Sequence, residues 1–103
     1  MEIALTGRLF GAAEAKAYGL INAVVAADEL DAAVADLSAQ NLGCAPLALQ
    51  ATKQMALRGM EEASLQDAFN RVYPALERML AGDDAVEGPA AFVQKRPPKW
   101  TGR

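Results

Sequence analysis

The chain has 103 residues, 13 acidic and 10 basic side chains, no His and one Cys. Its length admits one small domain, and a lone Cys excludes an internal disulfide framework. The lack of His removes the commonest general base, every Ser–His or Cys–His pair and all His-based metal sites. With two Ser, three Thr and two Tyr, few hydroxyls remain for nucleophilic work. No catalytic residue and no metal ligand set is assigned, and the composition argues against a complete enzyme.

Hydrophobic residues are 52% of the chain and 23 residues are Ala, the composition of a helix-rich globular protein. Charge is unevenly spread: residues 1–94 carry a net −7, and residues 95–103 a net +4 from Lys95, Arg96, Lys99 and Arg103. An acidic body disfavours nucleic acid and anionic lipid, and the basic tail could meet one anionic group. Met1-Glu2 opens without the basic and apolar regions of a signal peptide, and no run approaches the ~20 apolar residues that span a bilayer. The expected location is the cytoplasm, with neither nucleic acid nor membrane as partner.

In chain order, Glu2–Leu5 reads as a helix turn stopped by Thr6-Gly7, too short to nucleate alone. Residues 11–18 form a second short helix closed by Gly19. Leu20-Ile21-Asn22-Ala23-Val24-Val25, with β-branched residues at 21, 24 and 25, reads as a short strand. Asp28 is expected to cap a helix reaching Leu42 and ended by Gly43, with Leu30, Ala33, Val34 and Leu37 on one face. Pro46 opens the next helix, to about Arg58, ended by Gly59.

Ser64-Leu65-Gln66-Asp67 resembles a capping box. It starts the clearest apolar stripe: Leu65, Phe69, Val72, Leu76, Met79 and Leu80. Pro74 should kink this helix in its middle. After Gly82, Asp83 or Asp84 caps a further turn, and Glu87-Gly88-Pro89 opens a last helix to about Arg96, with Pro89 at its first position. Glu61-Glu62, Asp83-Asp84 and Glu87 flank these helix starts, where carboxylates offset unpaired N–H groups. Trp100, after Pro97-Pro98, has no assigned contact. The expectation is mainly α with one short strand. An orphan strand and a headless first helix both require a larger fold to complete them.

Read together, these segments are similar to the second half of a crotonase (enoyl-CoA hydratase/isomerase) protein. The motifs are Leu5-Thr6-Gly7-Arg8, Ala12-Ala13-Glu14-Ala15, Gly19-Leu20-Ile21-Asn22-Ala23-Val24-Val25, Ala45-Pro46-Leu47-Ala48 with Thr52-Lys53, and Glu87-Gly88-Pro89-Ala90-Ala91-Phe92-Val93-Gln94-Lys95-Arg96-Pro97-Pro98-Lys99-Trp100. They occur in order and cover nearly the whole chain. Val72-Tyr73-Pro74 followed by Glu87-Gly88-Pro89 resembles the carnitinyl-CoA (crotonobetainyl-CoA) hydratase branch.

The resemblance implies the C-terminal helical part of an α/β crotonase fold, a β–β–α spiral followed by helices that trimerise it. Residues 1–27 would end the spiral core, and residues 28–103 would be the helical oligomerisation region. The implied parent reaction is hydration or isomerisation of a 2-enoyl-CoA thioester. Its enolate is held by two backbone N–H groups and, in hydratases, worked on by two Glu carboxylates. In family members those groups lie upstream of the Leu-Thr-Gly-Arg motif, so the chain alone is expected to be non-catalytic.

No tightly bound cofactor is implied. Coenzyme A arrives as the substrate's carrier, and the expected partners are acyl-CoA or enoyl-CoA and further copies in a trimer or dimer of trimers. The resemblance places Phe92 and Lys95, and more weakly Arg96, against the adenine and 3′-phosphate region of CoA. On residue type alone Phe92 reads as core and Lys95 as solvated. The alternative is a free-standing, non-catalytic helical oligomerisation or binding module.

Overall fold

A computed structural model describes residues 1–103. They fall into two compact units, Met1–Asp36 and Leu37–Arg103.

In the first unit, α1 (Glu2–Thr6) ends on Gly7 in the left-handed conformation, whose N–H returns to the Ile3 carbonyl. The second helix, α2 (Ala12–Ala17), is followed by Gly19 at φ 73°. There Gly19 N–H donates to Lys16 O (3.0 Å) and Leu20 N–H to Ala15 O (2.9 Å). These two bonds are the Schellman ending, with Gly at the position that must turn left-handed. Arg8 joins the two helices. It donates to Glu2 Oε1 (3.2 Å), to both Glu14 carboxylate oxygens and to Tyr18 OH (3.3 Å). The hydrogen bond from Arg8 holds the Glu14 carboxyl below its usual range, and Glu14 in turn raises the Arg8 guanidinium.

The strand expected at residues 20–25 does not form: the segment is irregular and the structure is entirely helical. A lone extended segment has no ladder within this chain to satisfy its N–H and C=O groups. Leu20, Ile21, Val24 and Val25 are 40–60% exposed. Asp28 is not a cap either. It sits within a 3-10 turn, Ala27–Glu29, that leads into α3 (Leu30–Leu42). The anticipated stripe of α3 is uncovered, with Leu30, Val34 and Leu37 each more than half exposed.

The second unit is built on α4 (Pro46–Gly59), with Pro46 at the first turn where its missing N–H costs nothing. The single long helix expected from Leu65 to Leu80 is two helices, α5 (Leu65–Asn70) and α6 (Pro74–Ala81). Proline disfavours the helical region for the residue before it, and Arg71 and Tyr73 are extended at ψ 139° and 104°. Pro74 therefore starts a helix instead of kinking one. Ser64 caps α5 as anticipated, its Oγ accepting from Asp67 N–H at 3.1 Å. The start of α6 is capped from outside, because Ala75 N–H donates to Gln54 Oε1 of α4 at 2.9 Å.

Helix α6 packs chiefly against α4, and α7 (Asp84–Val93) against α6. Across the chain the buried apolar residues are Ala15, Ala51, Tyr73, Ala75 and Ala91. Small side chains let the helices approach closely. Tyr73 supplies the one large buried body, its OH donating to Ala68 O at 2.8 Å. Against this core stand two dozen large hydrophobic residues that are exposed.

Candidate functional site

The last helix and the tail behind it carry the candidate residues. Helix α7 begins at Asp84, so Pro89 lies inside it instead of opening it, while Asp84 and Glu87 both fall in its first turn, near a helix start as expected. Glycine at 88 makes room for Trp100: a Cβ there would lie 3.3 Å from Trp100 Cη2. Trp100 Nε1 donates to Gly43 O at 2.8 Å, so the tail packs back on the α3–α4 junction.

Two carboxylates hold that tail. Buried Asp84 accepts from Thr101 N–H (2.7 Å), Thr101 Oγ1 (3.1 Å) and Gly102 N–H (2.9 Å). These bonds, the Thr101 amide first, keep its carboxyl below the usual range despite burial. Glu87 takes the Arg96 guanidinium bidentately, at 2.6 and 2.8 Å, and accepts Lys99 N–H at 2.7 Å. The Arg96 hydrogen bond leads in holding the Glu87 carboxyl down to about 2, followed by the Lys99 amide. An acidic groove of about 450 Å³ lies beside them, lined by Asp83, Asp84, Glu87, Lys99 and Thr101 among others.

The three sequence candidates sit at the far end of α7. Phe92 is 86% exposed and so is not core. Lys95 is exposed, and its ammonium makes no ion pair. The last helix stops short of the expected Arg96: it ends at Val93, and Lys95 turns left-handed at φ 52°. Its N–H still closes on Phe92 O at 3.2 Å, which keeps the two residues at one corner. Arg96 is committed to Glu87 and also donates to Gln94 Oε1 (2.6 Å) and Pro97 O (3.2 Å). Sequence reasoning missed Glu87 and Asp84 as tail anchors. Their partners lie 9 to 18 residues away, beyond any helical repeat.

A second feature lies elsewhere in the unit. Met55, Met60, Leu65, Phe69, Tyr73 and Leu76 line an apolar groove of about 470 Å³ between α4, α5 and α6. Met60, Leu65 and Phe69 are 75–85% exposed there. Arg71 closes one side, ion-paired to Glu62 and lying 5.9 Å from the Tyr73 ring centroid.

The site thus combines short helices, exposed apolar side chains and an exposed corner at Phe92 and Lys95. The class of the chain follows from comparison with known proteins. The family model described as enoyl-CoA hydratase/isomerase matches residues 1–103, and the chain belongs to that family.

Carnitinyl-CoA dehydratases from Proteus mirabilis (strain HI4320) and Escherichia coli (strain K12) are each 38% identical over 109 residues, covering 99% of this chain. The chain spans about 40% of the length of these curated relatives. Among solved structures, an enoyl-CoA hydratase/isomerase from Mycobacterium paratuberculosis superposes with a TM-score of 0.91 at 33% identity, over 100% of this chain and 42% of that one. An enoyl-CoA hydratase from Bacillus anthracis gives 0.88 at 29%, over 99% and 39%. The helices described above are thus the C-terminal helical part of a crotonase fold, as the motifs implied.

Proposed function

We propose that this chain is the C-terminal portion of an enoyl-CoA hydratase/isomerase, of the carnitinyl-CoA branch, that supplies subunit contacts and one corner of the CoA site without catalysing a reaction itself. Residues 1–27 are read as the end of the spiral core and residues 28–103 as the oligomerisation region of a trimer or dimer of trimers in the cytoplasm. The observation that carries this reading is the uncovered apolar surface. Met60, Leu65 and Phe69 in the groove, and Leu30, Val34 and Leu37 on α3, have no cover of their own. A surface of this kind marks a protein–protein contact.

In the same reading Phe92 stacks on the adenine of CoA and Lys95 meets the 3′-phosphate, with no tightly bound cofactor; Arg96, the weaker CoA candidate, is paired to Glu87 instead. The non-catalytic part is supported by the state of the best-placed carboxylates. Asp84 and Glu87 are both ionised and fully engaged in binding the tail, which leaves neither free to exchange a proton with a bound thioester.

Incubating the purified chain with crotonyl-CoA tests the proposal. No loss of the enoyl-thioester absorbance is expected, and measurable turnover overturns it. Light scattering separates it from a free-standing helical module, which would form a discrete small oligomer.

A further inference from the structure

The chain ends two helices in the same way. After α2, Gly19 takes the left-handed position, and after α7, Lys95 does. At α7 the bonds are Lys95 N–H to Phe92 O (3.2 Å) and Arg96 N–H to Ala91 O (3.1 Å), the Schellman pair again. Glycine is the ordinary occupant because it carries no Cβ. A lysine at φ 52° is held against its preference, and such a residue persists only where its surroundings over-determine it.

The surroundings here are specific. Lys95 is followed at once by Arg96, whose guanidinium is clasped by Glu87 at 2.6 and 2.8 Å, by Gln94 Oε1 and by the Pro97 carbonyl. Glu87 also accepts Lys99 N–H at 2.7 Å, so one carboxylate ties both sides of the turn to the first turn of α7. Glu87 and Arg96 side chains are only 21% and 35% exposed, while Lys95 is exposed and free of any ion pair. The arrangement fixes the backbone at Lys95 and leaves its ammonium available.

We propose that Glu87 is a positioning residue: through Arg96 and the Lys99 amide it locks the left-handed turn that presents the Lys95 ammonium to a phosphate monoester beside Phe92. The inference rests on the reading above that Lys95 meets the CoA 3′-phosphate. Glu87 touches no ligand. Its effect is to spare Lys95 the ordering cost of finding that geometry when the anion binds.

The test is the ratio of dissociation constants for 3′-dephospho-CoA and CoA, measured by calorimetric titration on the 103-residue chain. Partial unfolding weakens both ligands by the same factor, so the ratio is blind to general loss of structure. The native chain should prefer CoA by about tenfold, the scale of one charge-assisted contact, and Lys95→Ala should bring the ratio to about one. Glu87→Gln should bring it below about threefold, Arg96→Ala likewise, and the double variant no further, since the two act as one unit.

Glu62→Gln, which breaks the comparable Glu62–Arg71 pair elsewhere in the unit, should keep the native ratio. If the native chain shows no preference for CoA, the Lys95 reading falls and this inference falls with it. If Lys95→Ala abolishes the preference while Glu87→Gln keeps it, the reading stands and the positioning role is overturned. A Glu62→Gln ratio as low as that of Glu87→Gln also overturns it.

Discussion

Gly88 occupies the interior of α7, where glycine costs about 1 kcal/mol relative to alanine. Propensity alone therefore says that Gly88→Ala stabilises. The structure says the reverse. The new Cβ would lie 3.3 Å from Trp100 Cη2 and 3.6 Å from Cζ3, so the indole must retreat by a few tenths of an ångström. It is pinned by the 2.8 Å bond from Nε1 to Gly43 O. Losing that bond costs about 1 kcal/mol, and overpacking a fixed ring adds about 1–3 kcal/mol. Set against the propensity gain, the net change is a loss of about 1–3 kcal/mol.

With a urea slope of about 2 kcal/mol/M for a small domain, the midpoint should fall by roughly 0.5–1.5 M. Far-UV circular dichroism reports the helices, and the single Trp of the chain reports the contact itself by fluorescence. In a Trp100→Ala background the obstacle is gone, and Gly88→Ala should then stabilise by about 1 kcal/mol. The two effects differ in sign, so the double-mutant cycle should show a coupling of about 2–4 kcal/mol. A raised midpoint for Gly88→Ala in the native background, or a coupling within about 0.3 kcal/mol of zero, refutes the claim that Trp100 is what keeps position 88 a glycine.

Ser64→Ala removes the acceptor of Asp67 N–H and should cost about 1 kcal/mol, seen as faster hydrogen exchange at the α5 amides before the rest of the unit. Lys95→Gly relieves a left-handed non-glycine residue and should raise the denaturation midpoint by about 1 kcal/mol equivalent, while losing any preference for CoA over its dephosphorylated form. The Glu87 carboxyl, held at about 2 against an ordinary 4.5, stabilises the fold above its unfolded value. That contribution is lost as pH falls from about 4.5 towards 2. Glu87→Gln should flatten this part of the stability-versus-pH curve, and an unchanged acid limb would contradict the Arg96 pairing.

Local signals carried much of the fold. Gly7 and Gly19 after short helices, Pro46 before a long one and Ser64 three residues ahead of Asp67 each act through their own backbone or nearest turn, and each stands where expected. The misreadings share a different cause. Pro74 acts on the conformation of Tyr73, one residue back, so a continuous apolar stripe became two helices. Leu20–Val25 has the side chains of a strand but no ladder, a matter of what lies beside it. At the candidate site the motif pointed to Phe92, Lys95 and Arg96. The roles of Glu87 and Asp84 depend on a tail that turns back after the left-handed Lys95, a long-range event with no periodic trace.

The buried apolar positions are alanine in four cases out of five. An alanine scan, the usual way to map which side chains hold a protein together, would therefore pass over this interior almost without effect. Sensitivity runs the other way: Ala51, Ala75 and Ala91 are at 1–3% exposure, and Ala→Val or Ala→Leu at such covered sites should overpack the helix contacts. Selection on this region should consequently act as an upper limit on side-chain size at a few inward positions.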